Sequence, residues 1–166
     1  MEMNWIAIIV AALVPTFTGF IWYNPKVFGK AWMEVAGMDE AKIRSTNMPL
    51  IFGISLLLSL LLALYIQTQV IHQVHIGSIL MNEPGFGDPN SEIGSFMTDF
   101  MSKYGNNFRT FGHGAFHGFV AGLMFVLPVL GTNALFERKG WKYIFINTGY
   151  WTLTLAIMGG IVCGWV

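Results

Sequence analysis

Four histidines are the residues in this chain whose type and spacing could do chemistry. His72 and His75 stand three positions apart, and His113 and His117 stand four apart. Either spacing puts both rings on one face of a helix, where two imidazoles can reach a single metal ion. The residues between His113 and His117 are Gly-Ala-Phe. That stretch lacks the glutamate of the zinc-protease helix, so metalloprotease chemistry is excluded. Three chemistries stay open. Neutral histidines can hydrogen-bond to backbone, to Asn106 or Asn107, or to each other. His72, His75, His113 and His117 can together supply ligands to a metal or haem iron, since imidazole suits zinc, copper and haem. They can also form a pH-responsive switch, because histidine titrates near physiological pH.

The stretch around the second pair, FGHGAFHGFVAG, carries a second pattern. Gly114, Gly118 and Gly122 recur every four residues and so line one helix face. Gly160 and Gly164 repeat the spacing near the end of the chain. Bare ridges of this kind let membrane helices approach closely. The pattern leaves open whether the partner helix lies in the same chain or another.

These residues sit in an unusually apolar context. Of 166 residues, 54% are hydrophobic and 11% charged, where soluble domains carry about 25% charged residues. Net charge is zero, which leaves no basic footprint for nucleic acid. Cys163 is the sole cysteine, so no intrachain disulfide can form. A transmembrane helix needs about 20 apolar residues. Four stretches qualify, about 5–23, 49–70, 111–134 and 143–165, and none has a charged residue in its middle. Trp5, Trp22, Tyr23, Trp141, Tyr143 and Trp165 mark their ends, as amphipathic rings do at headgroup level. The first stretch follows an acidic start and ends in GFIWYNP. It is expected to remain as a span, since a secretory signal has a basic start and a small-residue cleavage site.

The expected fold is therefore all-α: one integral membrane domain built as a four-transmembrane-helix bundle. The first and third loops hold Lys26, Lys30, Lys42, Arg44, Arg138, Lys139 and Lys142; the other side has Lys103 and Arg109. This bias puts the first and third loops in the cytoplasm and both termini outside, with all four histidines near the outer surface. Two amphipathic surface helices are expected. One starts at Asn24 and Pro25 in the inner loop and stops at Gly37; the other runs from a Ser91 cap to Gly105 in the long outer loop. The second span is expected to continue through IQTQVIHQVHIGSILM, and Asn47 to cap its start. Pro15 and Pro128 should kink their helices. Asn133 and Asn147, near the cytoplasmic ends of adjacent helices, are expected to act as interhelical polar residues bonded to each other.

The segments MNWIAIIVAALVPTFTGFIWYNPKVFGKAW and HGAFHGFVAGLMFVLPVLGTNALFERKGWKYIFINTGYWTLTLAIMGG, with their spacing, resemble a family of small bacterial membrane proteins known as domain of unknown function seventeen-sixty-one. MTDFMSKYGNNFRTF resembles its Bacteroidetes version. The resemblance implies four spans in a bacterial inner membrane. It also implies that Trp22, Asn24, Pro25, His113, Gly114, His117, Gly118, Asn133, Phe136, Glu137, Arg138 and Asn147 belong to a recurrent pattern. It carries no catalytic residue.

No carboxylate lies deep in a span, no continuous polar stripe lines a pore, and no nucleophile constellation is present. The sequence thus points away from an enzyme. It favours a small non-enzymatic subunit or scaffold that forms a homo-oligomer or docks to an envelope complex. The alternatives are a metal, haem or small-molecule binding membrane protein using the outer histidines, and a small-solute transporter formed by oligomerisation. Its immediate partner is the lipid bilayer, and nucleic acid is not one.

Overall fold

The computed structural model describes residues 3–166. It is all-helical, with no strand among the described residues. Four helical segments are long and apolar enough to cross a membrane: Trp5–Trp22, Met48–Val70, Phe111–Phe136 and Trp141–Gly164. Helix α1 (Trp5–Trp22) begins at Asn4, whose side chain accepts from the amide of Ala7. Helix α4 (Met48–Val70) begins at Asn47, which caps the amide of Leu50 as its position before Met-Pro suggests. The third segment consists of α7 (Phe111–Ala121), a π-helical turn (Gly122–Val126) and α8 (Leu127–Phe136). The π turn ends two residues before Pro128. Proline cannot donate to the carbonyl four residues back, and the Leu127 amide reaches five back, to Gly122.

Helix α9 (Trp141–Gly164) is the centre of the bundle. In its most apolar window 61% of residues are buried, against 17% for α4. Ile8 and Ala11 of α1, Ala63 and Ile66 of α4, and Leu155 and Met158 of α9 form the common core. The seam between α1 and α9 is polar but satisfied. Thr18 Oγ1 lies 2.9 Å from the Val14 carbonyl and 2.8 Å from Thr154 Oγ1. The Tyr150 hydroxyl donates to the Pro15 carbonyl at 2.8 Å. Trp22 Nε1 donates to the Ile146 carbonyl, and the Tyr23 hydroxyl donates to Asn147 Oδ1. In a lipid-immersed bundle each of these groups would be costly if left unpaired.

Asn147 therefore does not bond to Asn133, as the sequence suggested. It lies on the α9 face that meets α1, whereas Asn133 is exposed on α8.

The inner-loop helix also differs from expectation. It is α2 (Gly29–Ala36), not a helix from Pro25. Asn24 instead closes a turn, accepting the Lys26 amide on its side chain and the amides of Val27 and Gly29 on its carbonyl. Gly29 sits so close under Tyr23 and Asn24 that a methyl there would strike their backbone. The helix ends at Gly37, with φ of 69°, a left-handed stop that favours glycine. It is tied to the bundle. Trp32 packs edge-on against Tyr23, Lys142 pairs with Glu34 at 2.8 Å, and Lys139 donates to the Ala36 carbonyl. A short helix, α3 (Glu40–Arg44), follows, capped by Asp39.

The second span does not run on past its end. Ile71 is extended and buried, and a separate helix, α5 (Gln73–Leu80), starts after it. Helix α6 (Glu92–Tyr104) has its expected Ser91 cap and ends at Gly105.

Candidate metal centre

Two elements meet at the site. The break at Ile71 turns the chain so that His72 faces the start of α7. That start is rigidly held. Thr110 caps α7 by accepting the His113 amide on its hydroxyl. Arg109 Nε donates to the Cys163 carbonyl at 2.8 Å, tying the turn before α7 to the end of α9.

The glycine ridge then fixes the height and rotation of α7. Gly114 lies against the carbonyl of Gly159, and Gly118 against that of Leu155. A methyl on Gly122 would stand 2.5 Å from Thr152 Cα. In the opposite direction, Gly160 and Gly164 of α9 lie against the ring and backbone of Phe111. All five glycines of the two ridges thus pack α7 and its π turn against α9 of the same chain. The ridge is covered within one molecule.

With α7 seated in this way, three histidines converge. His72 Nε2 and His113 Nε2 are 2.8 Å apart. The His117 ring centre lies 4.5 Å from that of His113 and 5.0 Å from that of His72. One ring nitrogen from each of the three falls within 4.8 Å of the others. His75 is not part of the cluster. It sits one turn further along α5 and is exposed.

The 2.8 Å contact between two imidazoles requires one nitrogen to carry a proton and the other to offer its lone pair. A tetrahedral zinc ion with Zn–N bonds of about 2.0 Å separates its ligand nitrogens by about 3.3 Å. To hold such an ion the hydrogen-bonded pair would open by roughly half an ångström and His117 would close in. Haem held between His72 and His113 does not fit, because a porphyrin cannot enter a gap in which the two nitrogens already touch. The cluster contains no carboxylate. It offers three imidazole nitrogens, one fewer than a tetrahedral ligand set.

Phe108 stands out beside the cluster. Its φ is +62°, uncommon for a large side chain and costing of order 1–3 kcal/mol. This conformation sets its ring 5.2 Å from His113 and 6.3 Å from His72. Behind His72, Gln73 is buried and donates to the carbonyls of Tyr104 and Asn107. It ties α5 to the loop that carries Phe108. Neither Phe108 nor Gln73 was identifiable from sequence. The only available signal was their adjacency to a histidine or a helix cap.

Fold and site together define a multi-pass helical membrane protein with a three-imidazole cluster at one end of its bundle. The chain belongs to the family described as protein of unknown function DUF1761, whose model matches residues 6–163. No curated protein and no solved structure matches it.

Proposed function

We propose that this protein is a non-enzymatic metal-binding protein of the bacterial cytoplasmic membrane. It holds one zinc or copper ion on His72, His113 and His117 at the outer surface. The observation that carries this reading is the convergence of three ring nitrogens, from two separate helices, within 4.8 Å. Imidazole nitrogen is the preferred donor for both metals. The strained Phe108 beside the rings supports a functional rather than incidental cluster, since such strain concentrates at binding sites. The outward orientation rests on the seven basic residues of the first and third loops, against two on the other side.

Assembly of several chains through the glycine ridge is less favoured, because α9 already occupies that ridge.

The test is metal content. The protein is purified in mild detergent, loaded separately with zinc and with copper, desalted and analysed by elemental mass spectrometry. The expected result is about one ion per chain, lost in His72→Ala, His113→Ala and His117→Ala and retained in His75→Ala. A wild-type protein that emerges without metal, or a His75→Ala loss equal to the other three, would overturn the reading.

A further inference from the structure

Below the histidines, a groove of about 560 Å³ separates α4 from α7 and the π turn. Ligand pockets typically measure ~300–1,000 Å³. The α4 wall presents Leu62, Tyr65, Ile66 and Gln69, the positions of one helix face. The two helices run antiparallel, so Gln69 and His117 mark the end near the histidines, and Leu62 and Met124 the end toward the middle of the bundle. The polar end and the apolar end are about 10 Å apart along the helix axis, at 1.5 Å per residue. Trp151 and Leu155 of α9 form the floor.

Three features define what this groove can hold. None of its lining residues is an aspartate, glutamate, lysine or arginine, so a charged head such as a phosphate has no fixed partner. At the polar end the Gln69 amide, which gives one N–H to Thr68 Oγ1 at 3.1 Å and keeps its second, and the His117 imidazole offer donors to a carbonyl oxygen. The aromatic side chains of Tyr65, Phe125 and Trp151 line the space and provide faces and edges for a flat ring. The π turn supplies Met124, Phe125 and Val126 to the same wall. Single-turn π segments recur at functional sites.

We propose that this groove binds a membrane-soluble quinone. The ring carbonyl hydrogen-bonds to Gln69 and His117, and the hydrocarbon tail leaves between α4 and α7 into the lipid. Binding by hydrogen bond requires no metal, so the proposal stands apart from the metal reading although the two share His117.

The experiment uses the full chain in nanodiscs of dioleoylphosphatidylcholine, titrated with decylubiquinone while tryptophan emission is followed. The expected result is saturable quenching that is largely lost in Trp151→Phe. Gln69→Leu, which keeps every histidine, should weaken binding about tenfold, equivalent to one good hydrogen bond of roughly 1.4 kcal/mol. Val120→Phe, which fills the groove, should weaken it further. His72→Ala, which removes a metal ligand but no groove residue, should leave quinone binding intact. Quenching that rises linearly without saturation, or that is unchanged in both Gln69→Leu and Val120→Phe, overturns the proposal. So does displacement by dioleoylglycerol as effective as by the quinone, since a lipid without a ring would then suit the groove equally well.

Discussion

Replacing Gly118 with alanine should unseat α7 from α9, whereas the same change at Gly112 should do the opposite. The added methyl at Gly118 would collide with the Leu155 carbonyl oxygen and come within 2.9 Å of Ala156 Cα. All of these obstacles are backbone atoms inside a helix, so no side chain can rotate away. The helices must separate, and overpacking of this kind costs about 1–3 kcal/mol. Gly112 lies six positions earlier in α7, and its added methyl meets nothing within 4 Å. There the substitution only removes glycine's helix penalty, a gain of about 0.5–1 kcal/mol. The propensity gain applies at Gly118 as well, so the two variants should differ by roughly the overpacking cost, about 1–3 kcal/mol, with Gly112→Ala the more stable. The assay is reversible unfolding in mixed detergent micelles, followed by tryptophan emission. Gly118→Ala as stable as Gly112→Ala, or more so, would refute the argument that backbone approach along the ridge holds α7 in place.

Two further outcomes are expected. Tyr150→Phe deletes the hydroxyl that donates to Pro15 and should cost about 1 kcal/mol in the same unfolding assay; no change would mean the α1–α9 seam does not depend on that bond. The Lys142 ammonium beside Glu34 holds its carboxyl below the ordinary value of 4.5. Its stabilising effect is therefore complete above that value and fades as pH falls through the lower folded one. Both side chains are more than half exposed, so the effect is modest and salt-sensitive. The stability gap between the parent and Lys142→Met should narrow on acidification, and a gap that widens would contradict the pairing.

The spans were legible because lipid demands long apolar helices, and the caps at Asn47 and Ser91 because their side chains have a local job. Gly37 was legible because a left-handed helix stop favours glycine. The histidines were legible as a group of four, but not as the three that meet. That distinction rests on the break at Ile71, in a stretch, QVIHQVHI, that contains no proline or glycine to announce it. Ile71 is extended and its side chain is buried in the bundle, a tertiary setting that local pattern does not reveal. The bond partner of Asn147 was missed for a similar reason. Proximity at one membrane surface says nothing of the direction a helix face points, and Asn147 turns toward α1. The ridge spacing announced close packing, while its partner, α9, could be known only from the fold. The amphipathic start at Asn24 looked like a helix, but the backbone instead folded tightly under Tyr23 and left Gly29 as the first residue of α2.

The central position of α9 bears on how the chain is made. It is made after α1, α4 and α7, yet all three pack on it. Until synthesis passes Gly164, the bare strip on α7 faces lipid and the three imidazoles have no fixed geometry. The earlier helices must wait side by side, and the histidine cluster takes its shape only when α9 packs between them. A chain cut short before Trp141 would retain every histidine and still lack the surface that aligns them.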